Sequence, residues 1–437
     1  MVDDLEYWDP IIERTPLSEL KSLQEERLRQ LMLFVNDHSS FYRSRFRESK
    51  IDPGKIRSMD DLRKLPFTVK KDFRDNYPTG MFCVPTNQIT RFHASSGTTG
   101  KRTIVAYTRN DIQEWSTSLA RGATSLGMGR SDIIQVSYGY GLFTGGLGVH
   151  YGAEMVGATI LPTGTGGTDR QLELMRDLGV TVIACTPSYF MHIAEVARGM
   201  GIDFQRDTRL RAGLFGAEPW SDDMRRRIEE STGIKAYDIY GTSELNGPLF
   251  TECKHQNGIH VWADQYLLEV INPETGEVLE EGERGELAVT TLTKEALPLI
   301  RYRTGDITYL ELEECKCGRT HPRIMRIRGR ADDMLKIRGV IVYPSQVESV
   351  LMKMPELGEN YQLVIDREHE LDRMTVKAEV SDKIHKDKQA DLAQLKRKVE
   401  RALRSGLDLS VDVELVEPNT IPRSEGKAKR VIDNRKI

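Results

Sequence analysis

Between about residues 130 and 300 the chain repeats one pattern. Short apolar runs, IIQVSYG (133–139), ATILPTG (158–164), VTVIACTP (180–187), LRAGLFGAEP (210–219) and IKAYDIYG (234–241), alternate with longer polar segments of helical character. Short, nearly continuous apolar runs suit strands covered on both faces. Their alternation with helices predicts an α/β domain with buried, largely parallel strands. Most of the runs end in Gly, Pro, Thr or Tyr. Ligands of open α/β sheets bind just beyond the carboxyl ends of the strands, so the informative residues are expected there.

The flanks differ. Upstream, Thr15-Pro16 reads as a helix start, followed by Leu20, Leu23, Leu28, Leu31, Met32 and Val35 at roughly helical spacing. Downstream the composition shifts near 328, where GRADDMLKIRG is polar, charged and carries two glycines, as a hinge would. Beyond it QLVID and MTVKAEV are strand-like. Leu392, Leu395, Val399 and Leu403 have helical spacing, and Val411, Val413 and Leu415 alternate. That order, β-β-α-β, predicts a compact α+β unit. The expected organisation is a large N-terminal α/β domain over 1–330 and a small mobile C-terminal α+β domain over 331–437.

A length of 437 residues is long for one core and fits two or more domains. A net charge of −4 gives no reason to expect nucleic acid or an anionic membrane surface as partner. No stretch approaches the ~18 apolar residues of a membrane span. The start, MVDDLEYWDP, is acidic and without an apolar secretory core, so a cytoplasmic protein is expected. Five cysteines are too few for a disulfide scaffold; Cys83 and Cys185, in MFCV and VIACT, read as buried thiols.

SSGTTGK, Ser95 to Lys101, is an unbroken run of small, hydroxylated and flexible residues ending in a lysine. A P-loop needs four residues between its glycines and Ser or Thr after its lysine. Here only Thr98 and Thr99 separate Gly97 from Gly100, and Arg102 follows Lys101. The run is therefore not a Walker loop, although exposed N–H groups, hydroxyls and a cation still suit phosphate. Its alternative is a plain surface loop.

Further runs follow in order: AYTRND (106–111), SYGYGLFTGG (137–146), GAEPW (216–220), YGTSE (240–244), YRTGD (302–306), GRADDMLKIRG (329–339) and PRSEGKAKR (422–430). Together they resemble the adenylate-forming enzymes, namely acyl-CoA synthetases, adenylation domains and luciferases. Within that superfamily they resemble the phenylacetate–CoA ligase family. The resemblance runs from about residue 6 to the end and implies an ATP-dependent, AMP-forming aryl-acid–CoA ligase. Such an enzyme makes acyl-adenylate and pyrophosphate, and CoA then gives the thioester and AMP.

By the same resemblance, Ser95, Ser96, Gly97, Thr98, Thr99, Gly100 and Lys101 cover the β- and γ-phosphates of ATP. Gly216, Ala217, Glu218 and Pro219 lie on the adenine side. Asp238, Tyr240, Gly241 and Thr242 complete the nucleotide site, with Tyr240 stacked on adenine and Thr242 at the α-phosphate. Glu244 binds Mg²⁺, a hard cation that takes oxygen ligands shared with phosphates. Asp306 and Arg330 hold the ribose, and an ionised carboxylate accepts both hydroxyls. Lys427 bridges the acid and the α-phosphate during adenylation. Tyr138 and Phe143 line an aryl pocket that Pro248 closes, and Asp332 marks the hinge. A homodimer is implied too. Two rival readings stay open: an adenylation enzyme serving a carrier protein or another acceptor, and a nucleotide-binding regulatory protein without catalysis.

The remaining cysteines form two clusters. Cys253 lies in ECKHQNGIH with His255 and His260; Cys315 and Cys317 lie in ECKCGRTH with His321. Together they offer a tetrahedral Cys₃His set for structural Zn²⁺, with four protein ligands and no open position. Some relatives carry zinc in the matching region. The choice is Cys253, His260, Cys315 and Cys317, with His255 and His321 as alternates. The spacing also fits three free cysteines beside incidental histidines.

Overall fold

The structure, a computed structural model, describes residues 6–95, 102–331, 334–338, 340–368, 371–381, 389–424 and 428–435. It is a mixed α/β chain with a large N-terminal part and a small C-terminal part. By contacts it forms two compact units. One comprises 1–164, 181–184 and 237–326; the other comprises 165–180, 185–236 and 327–437. No helix among the described residues is long and apolar enough to cross a membrane.

In the first unit the helix Leu17–His38 buries Leu20, Leu28, Leu31, Met32 and Val35, the stripe expected from their spacing. It begins with Pro16 as its cap residue, one position later than Thr15 suggested. The stripe from Leu28 onward packs against Tyr42, Phe46, Ile56, Leu62 and Leu65, and reaches Leu267, Leu292 and Ile300. Full burial of such side chains contributes ~1.5–3 kcal/mol each, which anchors this N-terminal cluster on the later strands.

The strands Ile133–Val136, Thr159–Leu161 and Val182–Cys185 pair in parallel as expected, although Thr159–Leu161 is only partly buried. Lys235–Thr242 then turns back on Gly247–Glu252 in antiparallel register, with Thr242 opposite Gly247. Asn246 and Gly247 make that reversal at φ of +145° and +104°. Ile259–His260, Arg323–Ile324 and Leu310–Glu311 extend the antiparallel arrangement. A separate antiparallel sheet, Tyr266–Ile271, Gly285–Thr291 and Tyr302–Thr308, carries Asp306. The hairpin Arg91–Ser95 with Thr103–Tyr107 brings Ser95 opposite Thr103.

The second unit holds the buried strand Ala212–Gly216 and the helices Pro187–Gly199 and Asp222–Thr232. Its C-terminal part realises the expected β-β-α-β order. Leu357–Glu368 pairs antiparallel with Leu371–Val380, the helix Gln389–Leu407 follows, and Asp412–Val416 joins in parallel. A short strand, Val431–Asp433, adds in parallel to Leu357–Glu368. Leu395, Val399, Leu403 and Leu407 are buried on the helix. Leu392, in the same stripe, is 38% exposed at its first turn. Within this unit Arg227 donates to the carbonyls of Leu357 and Gly358, and Ser221 N–H donates to Glu348.

Candidate active site

The YGTSE run spans the end of the strand Lys235–Thr242 and the turn after it. Tyr240 and Asp306 are brought together: the phenol donates to Asp306 Oδ2 at 2.7 Å, and both side chains are buried. At Gly241 the strand bulges, and a Cβ there would meet the Gly247 carbonyl oxygen at 1.7 Å, so only glycine fits. Asp238, three residues before Gly241, faces Arg326 at 3.5 Å, and its N–H donates to Glu252.

Two groups on the turn are orphaned. Thr242 Oγ1 is buried and has no hydrogen-bond partner among the described residues. Glu244 is 5% exposed; its carbonyl accepts from Lys294 Nζ at 3.1 Å, and its carboxylate makes no hydrogen bond among the described residues. Buried polar atoms are nearly always satisfied, so a buried hydroxyl and an unclaimed carboxylate on one turn fit a ligand that takes both. The donor chemistry suits a phosphate and its magnesium. Ser95 Oγ, at the end of the strand Arg91–Ser95, is also buried and has no partner among the described residues. Ser96, Gly97, Thr98, Thr99, Gly100 and Lys101 lie outside the described residues.

Lys294 was not among the expected residues. It is buried; burial pushes its ammonium down to about 8, against the pull of the Asp111 and Glu244 carboxylates. Its sequence context, TLTKEALP, reads as a polar turn.

On the expected acid side, Tyr138 is buried at the start of SYGYGLFTGG and Phe143 is 41% exposed. The loop is held to the strand Arg91–Ser95 by Ala94 N–H donating to the Leu142 carbonyl at 2.9 Å. Pro248 accepts from Trp115 Nε1 at 2.7 Å. A Cβ on Gly148 would strike both Trp115 and Pro248, so glycine lets the helix Gly145–Met155 approach them.

In the second unit Gly216 ends its strand and Ala217 adopts φ +66°, a region that disfavours a Cβ. Glu218 and Pro219 are half-buried. The Glu218 carboxylate accepts from Ser188 N–H in the first turn of the helix Pro187–Gly199, and from Ala428 N–H, both at 2.9 Å. An acid at a helix N-terminus also gains from the helix dipole. Lys427 lies outside the described residues. Ala428 sits on Glu218, and Arg423 pairs with Glu195 and Glu379, each at 2.8 Å. Burial pushes the Glu195 carboxyl up, and its bonds to His192 and Arg423 outweigh that and hold it at about 2. Arg330 is half-buried in the short strand Gly329–Arg330, and Asp332 lies outside the described residues.

Away from these groups, Cys253, His260, Cys315 and Cys317 converge, all buried, with their ligand atoms within 4.8 Å of one another. Cys253 Sγ lies 3.7 Å from Cys315 Sγ, and Cys317 Sγ 3.5 Å from His260 Nε2. Zinc–sulfur bonds of ~2.3 Å and zinc–nitrogen bonds of ~2.0–2.1 Å give tetrahedral edges of about these lengths. The alternates do not join. His255 is exposed, and His321 uses both ring nitrogens, accepting from Ala263 N–H and donating to the Ile12 carbonyl. The N-terminal segment closes over this loop: Tyr7 donates to the Cys317 carbonyl, and a buried Arg319–Glu13 pair lies at 2.7 Å.

Comparison with known proteins agrees with the geometry. The AMP-binding enzyme family matches residues 56–292, and the AMP-binding enzyme C-terminal domain matches 339–435. The chain belongs to the AMP-binding enzyme family, the adenylate-forming acid–thiol ligases. In particular it is similar to the phenylacetate–coenzyme A ligases of Thermus thermophilus, at 45% identity over 98% of this chain and 100% of that one, and of Escherichia coli, at 46% over 98% of each. Among solved structures, a 2-hydroxyisobutyryl-CoA ligase in its postadenylation state superposes with a TM-score of 0.94 at 30% identity, covering 100% of this chain and 94% of that one. The resemblance read from the ordered motifs is thereby borne out.

Proposed function

We propose that this protein is a phenylacetate–CoA ligase. Arylacetate and ATP give acyl-adenylate and pyrophosphate, and CoA thiol then displaces AMP to give the thioester. The observation that carries the reading is the YGTSE run, where the Thr242 hydroxyl has no partner among the described residues, Glu244 is buried, and Tyr240 pairs with Asp306.

On this reading Thr242 donates to the α-phosphate and Asp306 orients the ribose, together with Arg330 and the backbone of Gly216 to Pro219. Tyr240, fixed through its hydroxyl, offers its ring to adenine, with Asp238 and Gly241 supporting the strand. Ser95 and the residues to Lys101 cover the leaving pyrophosphate. Glu244 would hold a magnesium ion, which neutralises phosphate charge when bound. Tyr138, Phe143 and Pro248 enclose the aryl group, for which an apolar aromatic wall is suited. Lys427 supplies the cation for acid attack, and the domain 331–437 turns about Asp332 between the two half-reactions. The enzyme is cytoplasmic and homodimeric.

Acid-dependent exchange of labelled pyrophosphate into ATP tests the reading across phenylacetate, indoleacetate, benzoate and aliphatic acids. Phenylacetate should support the fastest exchange, and absence of exchange with every arylacetic acid sinks the proposal. A narrower prediction concerns Glu218→Gln. An amide has one acceptor oxygen where the carboxylate serves two N–H groups, and a hydrogen bond to a charged group is worth ~1.5–3 kcal/mol. Exchange should fall about tenfold or more, while thioester formation from supplied acyl-adenylate stays unchanged. Equal loss in both assays would contradict the placing of Ala428 on Glu218 as an adenylation contact.

The cysteine cluster is assigned a structural zinc through Cys253, His260, Cys315 and Cys317. Elemental analysis should give about one zinc per chain. Cys315→Ser should lower that and the melting temperature together, because metal binding is folding free energy for the loop it closes. Metal-free protein of unchanged stability and activity would refute the site.

A further inference from the structure

Lys294 has no part in the adenylation chemistry set out above, yet the molecule goes to some length to bury and place it. Its loop is pinned by Asp111, whose carboxylate accepts from Glu295 N–H at 2.7 Å and Ala296 N–H at 3.0 Å. Asp111 is fixed in turn by the capping box that opens the helix Arg109–Ser125, where Thr108 N–H donates to it at 2.9 Å. Thr108 Oγ1 and Asn110 also bond the Glu295 carboxylate. The Lys294 ammonium donates to the Glu244 carbonyl and lies 4.8 Å from the centre of the Tyr107 ring.

The same turn is gripped by two neighbours. Tyr107 donates to the Ser243 carbonyl at 3.3 Å, and its ring stacks on Trp115 at 5.4 Å. Trp115 donates to the Pro248 carbonyl at 2.7 Å. Donors from three parts of the chain thus hold the carbonyls of Ser243, Glu244 and Pro248, the stretch that joins the orphaned phosphate-facing groups to the expected aryl pocket. A buried ammonium is costly, and an apolar side chain of similar volume generally supports a core as well or better. Support alone does not account for a lysine.

We infer that Lys294 is a positioning residue for adenylation: it holds the Thr242–Glu244 turn in its reacting geometry through the Glu244 carbonyl, with a fixed positive charge beside the Glu244 carboxylate. The inference rests on the adenylation reading. A transition-state group loses effect when misplaced by a fraction of an ångström, so the turn is worth fixing.

The test compares wild type with Lys294→Met, Lys294→Arg and Tyr107→Phe in acid-dependent pyrophosphate exchange. A second readout is calorimetric binding of α,β-methylene-ATP with EDTA present. Lys294→Met should lower kcat about tenfold or more with the acid KM unchanged. It should also weaken analogue binding about tenfold, and Lys294→Arg should recover most of both. Tyr107→Phe, which removes only the bond to Ser243, should lower kcat about threefold. This milder variant decides the matter if Lys294→Met does not fold. Folded variants with wild-type kcat and analogue binding, altered only in melting temperature, overturn the inference. Wild type without acid-dependent exchange fails the adenylation reading itself, a distinct result that removes the inference with it.

Discussion

Lys427→Ala should lose acid-dependent pyrophosphate exchange by about a thousandfold while retaining thioester formation from supplied acyl-adenylate. The magnitude follows from charge. A carboxylate approaching a phosphate oxygen at ~4 Å meets ~4 kcal/mol of repulsion per unit charge at an effective dielectric of ~20. A positioned ammonium offsets that, and ~4 kcal/mol is about a thousandfold in rate. The second half-reaction joins a thiol to an already activated carbonyl, and no carboxylate has to reach a phosphate. Among the described residues, Arg423 is ion-paired with Glu195 and Glu379, and Ala428 is bonded to Glu218. Separate assays of the two half-reactions check the split, and equal loss of both would contradict the role.

Glu244→Gln should be nearly as severe for a different reason. The change is isosteric and leaves the Lys294 bond to the backbone carbonyl in place, so the turn keeps its shape. It removes one negative charge from a buried position. Exchange should fall about a hundredfold or more, since placed charges at developing phosphate charge are worth that much. Raising the magnesium concentration should recover part of the rate. A Glu244→Gln enzyme with wild-type rate and unchanged magnesium dependence would remove Glu244 from the site.

Particular residues show what could be read without coordinates. All five apolar runs between 133 and 241 contain strands, and all but the partly exposed Thr159–Leu161 are largely buried. The strands of the first three runs pair in parallel, as the alternation with helices predicts. The antiparallel return of Gly247–Glu252 on Lys235–Thr242 had its signal in the Asn246-Gly247 pair. The cysteine spacing marked the buried cluster, but the choice among His255, His260 and His321 needed the exposure of one ring and the satisfied nitrogens of another. Lys294 carried no signal at all. Its burial is made by Tyr107, Asp111 and the turn at 243–248, all distant in sequence, and no local pattern distinguishes it from a surface lysine. The Glu218–Ala428 bond spans 210 positions and was invisible for the same reason.

On the proposed function, one chain carries an aryl acid through an adenylate to a CoA thioester. The most direct measurement incubates the purified protein with phenylacetate, ATP, magnesium and CoA, and follows AMP and phenylacetyl-CoA together by mass spectrometry. Equal amounts of AMP and thioester are expected, with neither formed when the acid is left out. AMP and pyrophosphate without thioester would assign the acyl group to another acceptor, and no AMP from any arylacetic acid would rule out an aryl-acid ligase.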